Sequence, residues 1–469
     1  MPETNQPDSG ARSEPASGGR LRSLAFSRPV LLFAFAFAVM ADPVSSVAYA
    51  IEAALRALDG DLGLLLPTMG LVVAVIALII VNYHELIGRF PQGGGAAAAA
   101  GSAFGEAWAF IPIGALIVDF VLTIAISVSA ASSALIAFAS GLAPLRIPLA
   151  LVILLIVAGL TWFGHIGRAV FAAMTTVFVV VAVFVLVGGF GSAAARPPID
   201  VSPGHSPLIA VLLAFPVAMA LATGVEAPSS AIAQLGQLDD RGRKLFGRVT
   251  IWLTLLIVGS LTLGLTALAV HLNVGIPHPD QTQISEVAKA SVGDRLYTTF
   301  QIVTALLLLA AASSSFQAGP GLLKALARRT RAGGDSTGIL HSRLAVVNEH
   351  HTPYVAVGVF VVASAAVVAA AGAKDQELVL FYAVSVFLSF LAGLLAMARF
   401  ARREGRRFSM AVSLLGAVVV TFTLAINLSR GDPIASLAAS LAIAGVLYRM
   451  WIRAGRPRGI ATAVSEAEQ

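Results

Sequence analysis

The sequence predicts an all-α integral membrane protein of about twelve transmembrane helices, the first ten arranged as two inverted five-helix repeats and the last two appended. Three observations carry that prediction. Of 469 residues, 57% are hydrophobic and only 12% charged, a balance suited to lipid rather than water. Apolar stretches long enough to cross a hydrocarbon core recur along the whole chain. Two of them, five spans apart, each carry an acid beside a Pro or Gly, the sequence mark of a transporter whose central site lies between interrupted helices.

Residues 1–28, rich in Ser, Gly, Pro and Arg, predict a disordered cytoplasmic tail, uncleaved because the apolar stretch after it is too long for a signal-peptide core. The spans predicted after it are 29–57, 62–82, 106–139, 146–164, 169–192, 207–235, 247–271, 297–325, 354–373, 378–400, 409–428 and 433–452. Residues 29–400 form the predicted ten-helix transport core, 401–452 hold helices 11 and 12, and 453–469 form a short cytoplasmic tail. The connections 83–105, 272–296 and 326–353 contain Gly, Pro, His and charges and read as loops. With alternating sides, 24 of the 31 Lys and Arg residues fall on the side of the amino terminus and 7 on the other. That bias predicts a multi-pass plasma-membrane protein with both termini in the cytoplasm.

Other classes fit poorly. Without cysteine there is no disulfide framework and no thiolate metal site. The net charge of +6 comes from short basic runs between apolar segments, which set topology and make no broad surface for nucleic acid. Asp119 in "IVDF" lacks an aspartyl-protease motif, and His84–Glu85 in "NYHEL" lacks the second His of a zinc-protease helix, so no enzyme is expected. No cofactor or transition-metal site is expected either. The bilayer and a small-molecule or ion substrate are the expected partners, with a homodimer allowed.

Asp42, Asp119 and Glu226 each fall near the middle of a predicted span. A carboxylate there costs about 2.5–3.5 kcal/mol on insertion scales, and intramembrane acids mark ion pathways. Pro43, directly after Asp42, withholds a backbone donor and predicts an interruption of helix 1. In helix 6, Gly224 and Pro228 flank Glu226, and "DPVSS" echoes "EAPSS". In "VDFVLTIAISVSA", Thr123 and Ser127 lie about 40° and 80° round the helix from Asp119, so three oxygens can face one cavity. Tyr49, about two turns beyond Asp42, can bring a phenol to the same place or anchor the helix at the interface. Glu52 reads as a vestibule charge or a solvated one, and Ser313–Ser315 of helix 8 as an ion site or as close packing.

Together "DPVSSVAYAIE", "YHELIGRFPQGGGA", "VDFVLTIAISVSA" and "TGVEA" resemble the amino acid-polyamine-organocation (APC) superfamily, and within it the KimA-type potassium/proton symporters. The resemblance implies a LeuT/APC-like fold with broken helices 1 and 6. It also implies a cation site lined by Asp42, Tyr49, Asp119, Thr123, Ser127 and Thr223, with Glu226 as the proton-coupling acid or a second cation site. The sequence departs from that pattern at Pro43, in "GGGAAAAAGSAFG", and beyond helix 12, where KimA-type proteins carry a cytoplasmic regulatory domain. Helix 5 has no interior Lys, unlike some proton-coupled amino acid permeases. The expected function is proton-coupled potassium import, with a proton-coupled amino acid or amine permease as the alternative.

Overall fold

The computed structural model describes residues 28–163, 167–192, 204–327, 338–431 and 433–460. The predicted disordered tail, apart from Arg28, lies outside them, as do residues 461–469. All regular structure among the described residues is helical.

Span 1 is built of three pieces, α1 (Arg28–Val39), α2 (Ala41–Ser45) and α3 (Val47–Ala57). Then come α4 (Leu62–Arg89), α5 (Gly95–Phe104), α6 (Phe110–Phe138), α7 (Arg146–Trp162) and α8 (Gly167–Phe190). Span 6 consists of α9 (Pro207–Ala218), a 3-10 turn (Met219–Ala222), α10 (Ala227–Ala231) and a second 3-10 turn (Ile232–Gln234). The remainder are α11 (Asp240–His271), α12 (Gln283–Ser291), α13 (Asp294–Ala327), α14 (Tyr354–Ala370), α15 (Asp375–Arg403), α16 (Arg407–Ser429) and α17 (Ile434–Arg453). Among the described residues ten helical runs are long and apolar enough to cross a membrane; α14 and the divided span 1 complete the twelve expected spans.

Two predicted loops are partly helix. Residues 83–105 continue α4 to Arg89 and then form α5. Tyr83, Leu86 and Ile87 keep the apolar periodicity of α4 and are buried, while Gly93, Gly94 and Gly95 all take positive φ and turn the chain into the alanine run of α5. Residues 272–296 contain α12, whose N-cap Thr282 accepts a hydrogen bond from the Ser285 amide at 3.3 Å.

Span 3 is the centre of the bundle. In the most apolar window of the Glu106–Phe138 run 78% of residues are buried, against 22% around α7 and 28% in α17. Asp119, Thr123 and Ser127 therefore face protein, whereas α7 and α17 turn most of their surface outward. Helix α6 packs chiefly against α13, α15 and α17, and α2 packs against α13.

Candidate functional site

The two interrupted spans meet. In span 6 the 3-10 turn gives way to Thr223, whose backbone is extended (φ −57°, ψ 138°), and then to Gly224 at φ +69°. A Cβ at position 224 would stand 2.6 Å from Asp42 Oδ2 and 2.8 Å from Pro43 Cδ. Only glycine meets both demands, a left-handed φ and the approach of a carboxylate to bare backbone. The Asp42 side chain thus lies against the break in span 6.

Hydroxyls bind the two breaks internally and to each other. Ser45 Oγ donates to the Asp42 carbonyl at 2.7 Å, and Ser46 Oγ to the Pro43 carbonyl at 2.7 Å and the Leu221 carbonyl at 3.1 Å. In span 6, Ser229 Oγ donates to the Glu226 carbonyl at 2.7 Å and Thr223 Oγ1 to Ala220 at 2.8 Å. The echo between "DPVSS" and "EAPSS" is therefore one device used twice, a serine hydroxyl returned to the carbonyl of the acid three residues before it.

Tyr49 is buried, shares a hydrogen bond with Thr223, and lies within electrostatic reach of Asp42 and Asp119. Glu226, also buried, is within reach of Asp42. Five of the seven expected residues, Asp42, Tyr49, Asp119, Thr223 and Glu226, thus converge where spans 1, 3 and 6 meet. Thr123 and Ser127 are buried on the same helix as Asp119. Ser127 stands about 12 Å along the helix axis from Asp119, so it extends the oxygen ladder rather than joining the cluster.

Asp42 Oδ1, Glu226 Oε2 and Ser127 Oγ are buried atoms without a hydrogen-bond partner among the described residues. Buried acceptors in that condition call for a proton or a cation, because an uncompensated buried charge is strongly destabilising. Several donors of the span 1 bend, by contrast, are engaged. The Met40 amide bonds Ala36, Val44 bonds Met40, Ser46 bonds Asp42, and Pro43 has no donor to give.

Sequence reasoning missed Asp375. It is buried at the first turn of α15 while Glu377, two residues on, is exposed; nothing in "KDQEL" separates them. Asp375 Oδ1 accepts from Ser133 Oγ at 2.7 Å, and Ser133 Oγ accepts from Arg146 Nη1 at 2.9 Å. Arg146 Nη2 donates to the Pro279 carbonyl at 3.1 Å, and Gln376 Nε2 joins Asp375 Oδ2 at 3.0 Å to the Tyr49 carbonyl at 3.4 Å. Glu52 is 3% exposed, which overturns the solvated reading. It pairs with Arg56 at 2.8 Å and accepts the Gln283 amide, at the start of α12, at 2.9 Å. This network ties spans 1, 3, 4 and 10 and α12 together at the arginine-poor end, one layer beyond Tyr49.

Residues 30–451 match the amino acid permease family. The potassium transporter KimA of Bacillus subtilis is 30% identical over 354 residues, which is 68% of this chain and 57% of that protein. The chain thus aligns with somewhat over half the length of that curated relative. Among solved structures, a mutant of the Eremococcus coleocola manganese transporter aligns with a TM-score of 0.49 and 16% identity over 92% of this chain and 96% of that one. The same transporter in complex with a bis-isothiourea compound gives 0.48 and 14% over 97% of each.

Proposed function

The chain belongs to the amino acid permease family of multi-pass membrane transporters, and we propose that within it this protein imports potassium together with protons by alternating access. Asp42, Tyr49, Asp119, Thr123, Ser127 and Thr223 hold the cation, and Glu226 takes the coupling proton or a second cation. Residues 29–400 form the moving core, and the side richer in Lys and Arg, with both termini, faces the cytoplasm of a cell whose plasma membrane holds the protein.

The observation that carries this reading is the chemistry of the junction between spans 1 and 6. It offers carboxylate, phenol and hydroxyl oxygens, two of them, on Asp42 and Glu226, buried without a hydrogen-bond partner among the described residues, beside a bend whose Met40, Val44 and Ser46 amides are engaged. An alkali cation entering a dry site needs oxygens to replace its water shell. An amino acid needs free backbone donors for its carboxylate as well. The 30% identity to a potassium transporter supports the same reading.

The bonding at the arginine-poor end supports alternation. With Asp375, Arg146 and Glu52 bonded across the arginine-poor end, the cation at Asp42 and Asp119 leaves toward the arginine-rich end, on the side of Glu226. Glu226, within electrostatic reach of Asp42, carries its proton alongside the cation, since protonation relieves the repulsion between the two close carboxylates, and proton and cation leave together on the same side.

Reconstitution in liposomes with a pH dye tests this. Potassium-dependent proton flux is expected for the parent and not for Asp119→Asn; flux surviving in that variant removes Asp119 from the site. The family match favours a second reading, an amino acid or amine permease. In that case the vesicles show no potassium-dependent flux and take up labelled amino acid in competition with unlabelled.

A further inference from the structure

After α17 the chain folds back on the protein. Gly455 (φ +80°) and Arg456 (φ +54°) turn it, the Arg456 amide bonds the Trp451 carbonyl at 2.9 Å, and Trp451 Nε1 donates to the Pro457 carbonyl at 2.7 Å. Gly459 (φ +88°) then presents two successive amides to one carboxylate. Its own N–H donates to Glu106 Oε1 at 2.8 Å, and that of Ile460 to Glu106 Oε2 at 2.9 Å. The Ile460 side chain, 1% exposed, enters a hydrophobic cluster separate from the main core, among Ala97, Phe110, Leu322, Leu326 and Trp451. Hydrogen bonds to an ionised acceptor are the stronger kind, so this is a built attachment.

Its position gives it meaning. Glu106 follows Gly105 (φ +107°), which joins α5 to span 3. The other end of α5 lies on the break in span 6, where a Cβ at Gly95 would stand 2.9 Å from Ser230 Oγ and 3.1 Å from Ser229 Oγ. Those serines begin one turn past Glu226. So α5 braces the short helix α10, and the strap of residues 454–460 fixes the far end of that brace to span 12.

We propose that the strap is a latch on the arginine-rich end of the pathway, with Glu106 as the positioning residue that keeps α5 closed over the span 6 break until the strap lets go. The latch rests on the alternating-access reading but not on the identity of the cargo. Its release lets α5 swing about Gly105 and uncovers Ser229, Ser230 and the exit past Glu226.

The chain has no cysteine, so a single Ser230→Cys reports the opening without interference. Maleimide labelling of the purified protein in liposomes is compared between that parent and the same chain carrying Glu106→Ala, Glu106→Gln or Gly459→Ala. Two hydrogen bonds to a charged acceptor set the expected rise for Glu106→Ala at about tenfold or more. Glu106→Gln, which keeps one acceptor oxygen, falls between. Gly459→Ala strains only the strap, so it raises labelling even if the Glu106 variants fold poorly. Equal labelling in Gly459→Ala and in every folded Glu106 variant overturns the latch, whether or not the vesicles move potassium. Raised labelling without potassium flux keeps the latch and redirects the search for cargo.

Discussion

Spans 1 and 6 carry nearly the same five-residue motif and do different things with it. Span 1 bends but stays helical. Met40 and Ser46, on either side of α2, keep right-handed helical angles (φ −71° and −65°), and the backbone bonds of Val44 and Ser46 run on through the proline. Span 6 opens, with Thr223 extended and Gly224 left-handed just before Glu226. The difference lies in the residues before each acid. Met40 and Ala41 precede Asp42 and favour helix, whereas Thr223, Gly224 and Val225 precede Glu226 and include the residue least committed to it. Proline alone leaves span 1 helical with one hydrogen bond fewer, whereas the left-handed glycine at 224 ends the helix in span 6.

The largest expected effect comes from closing the open side. Gly224→Ala forces a side chain into a left-handed backbone at a cost of about 1–3 kcal/mol and drives its Cβ to within 2.6 Å of Asp42 Oδ2. Potassium-dependent flux in liposomes should be lost and the thermal midpoint in detergent should fall. Wild-type flux would mean that Asp42 and the break do not work as a unit.

A smaller and opposed pair comes from the prolines. Pro43→Ala returns an amide to the Val39 carbonyl and straightens span 1, which draws Asp42 away from Gly224; flux should drop by about tenfold or more, the scale set by a shift of roughly 1.4 kcal/mol. Pro228→Ala should change flux by less than about twofold, because Pro228 stands in the first turn of α10, where the amide has no partner within the helix. Equal losses in both would erase the distinction between the spans.

The sequence makes the spans and acids visible because both are local signals. Twenty apolar residues are a span in any context, and an aspartate inside one is an anomaly that composition reveals. The ladder of Asp119, Thr123 and Ser127 is legible for the same reason, since helical periodicity alone aligns it. What stays hidden depends on partners far along the chain. Asp375 and Glu377 look alike until α6 brings Ser133 to one of them. Glu52 reads as an end-of-helix charge until the amide of Gln283 arrives from 231 residues away. The need for glycine at 224 is half visible as a helix breaker and half invisible, because the carboxylate that fills the space comes from span 1.

The smallest expected difference separates two adjacent serines. Ser45 and Ser46 each return a hydroxyl to a carbonyl three residues earlier at 2.7 Å, so Ser45→Ala and Ser46→Ala lose the same local bond. That loss alone is about 0.5–1.5 kcal/mol. Ser46 also reaches the Leu221 carbonyl in the 3-10 turn of span 6 at 3.1 Å, and no equivalent bond across the spans is made by Ser45 among the described residues. Removing it deprives a buried carbonyl of that donor, which adds about 1–3 kcal/mol where nothing replaces it. Ser46→Ala should therefore lower the thermal midpoint more than Ser45→Ala, and only Ser46→Ala should also slow flux, since it alone unties the bend from the break. If the two variants match in both measurements, the spans are held in register by the Asp42–Gly224 contact without help from the hydroxyl.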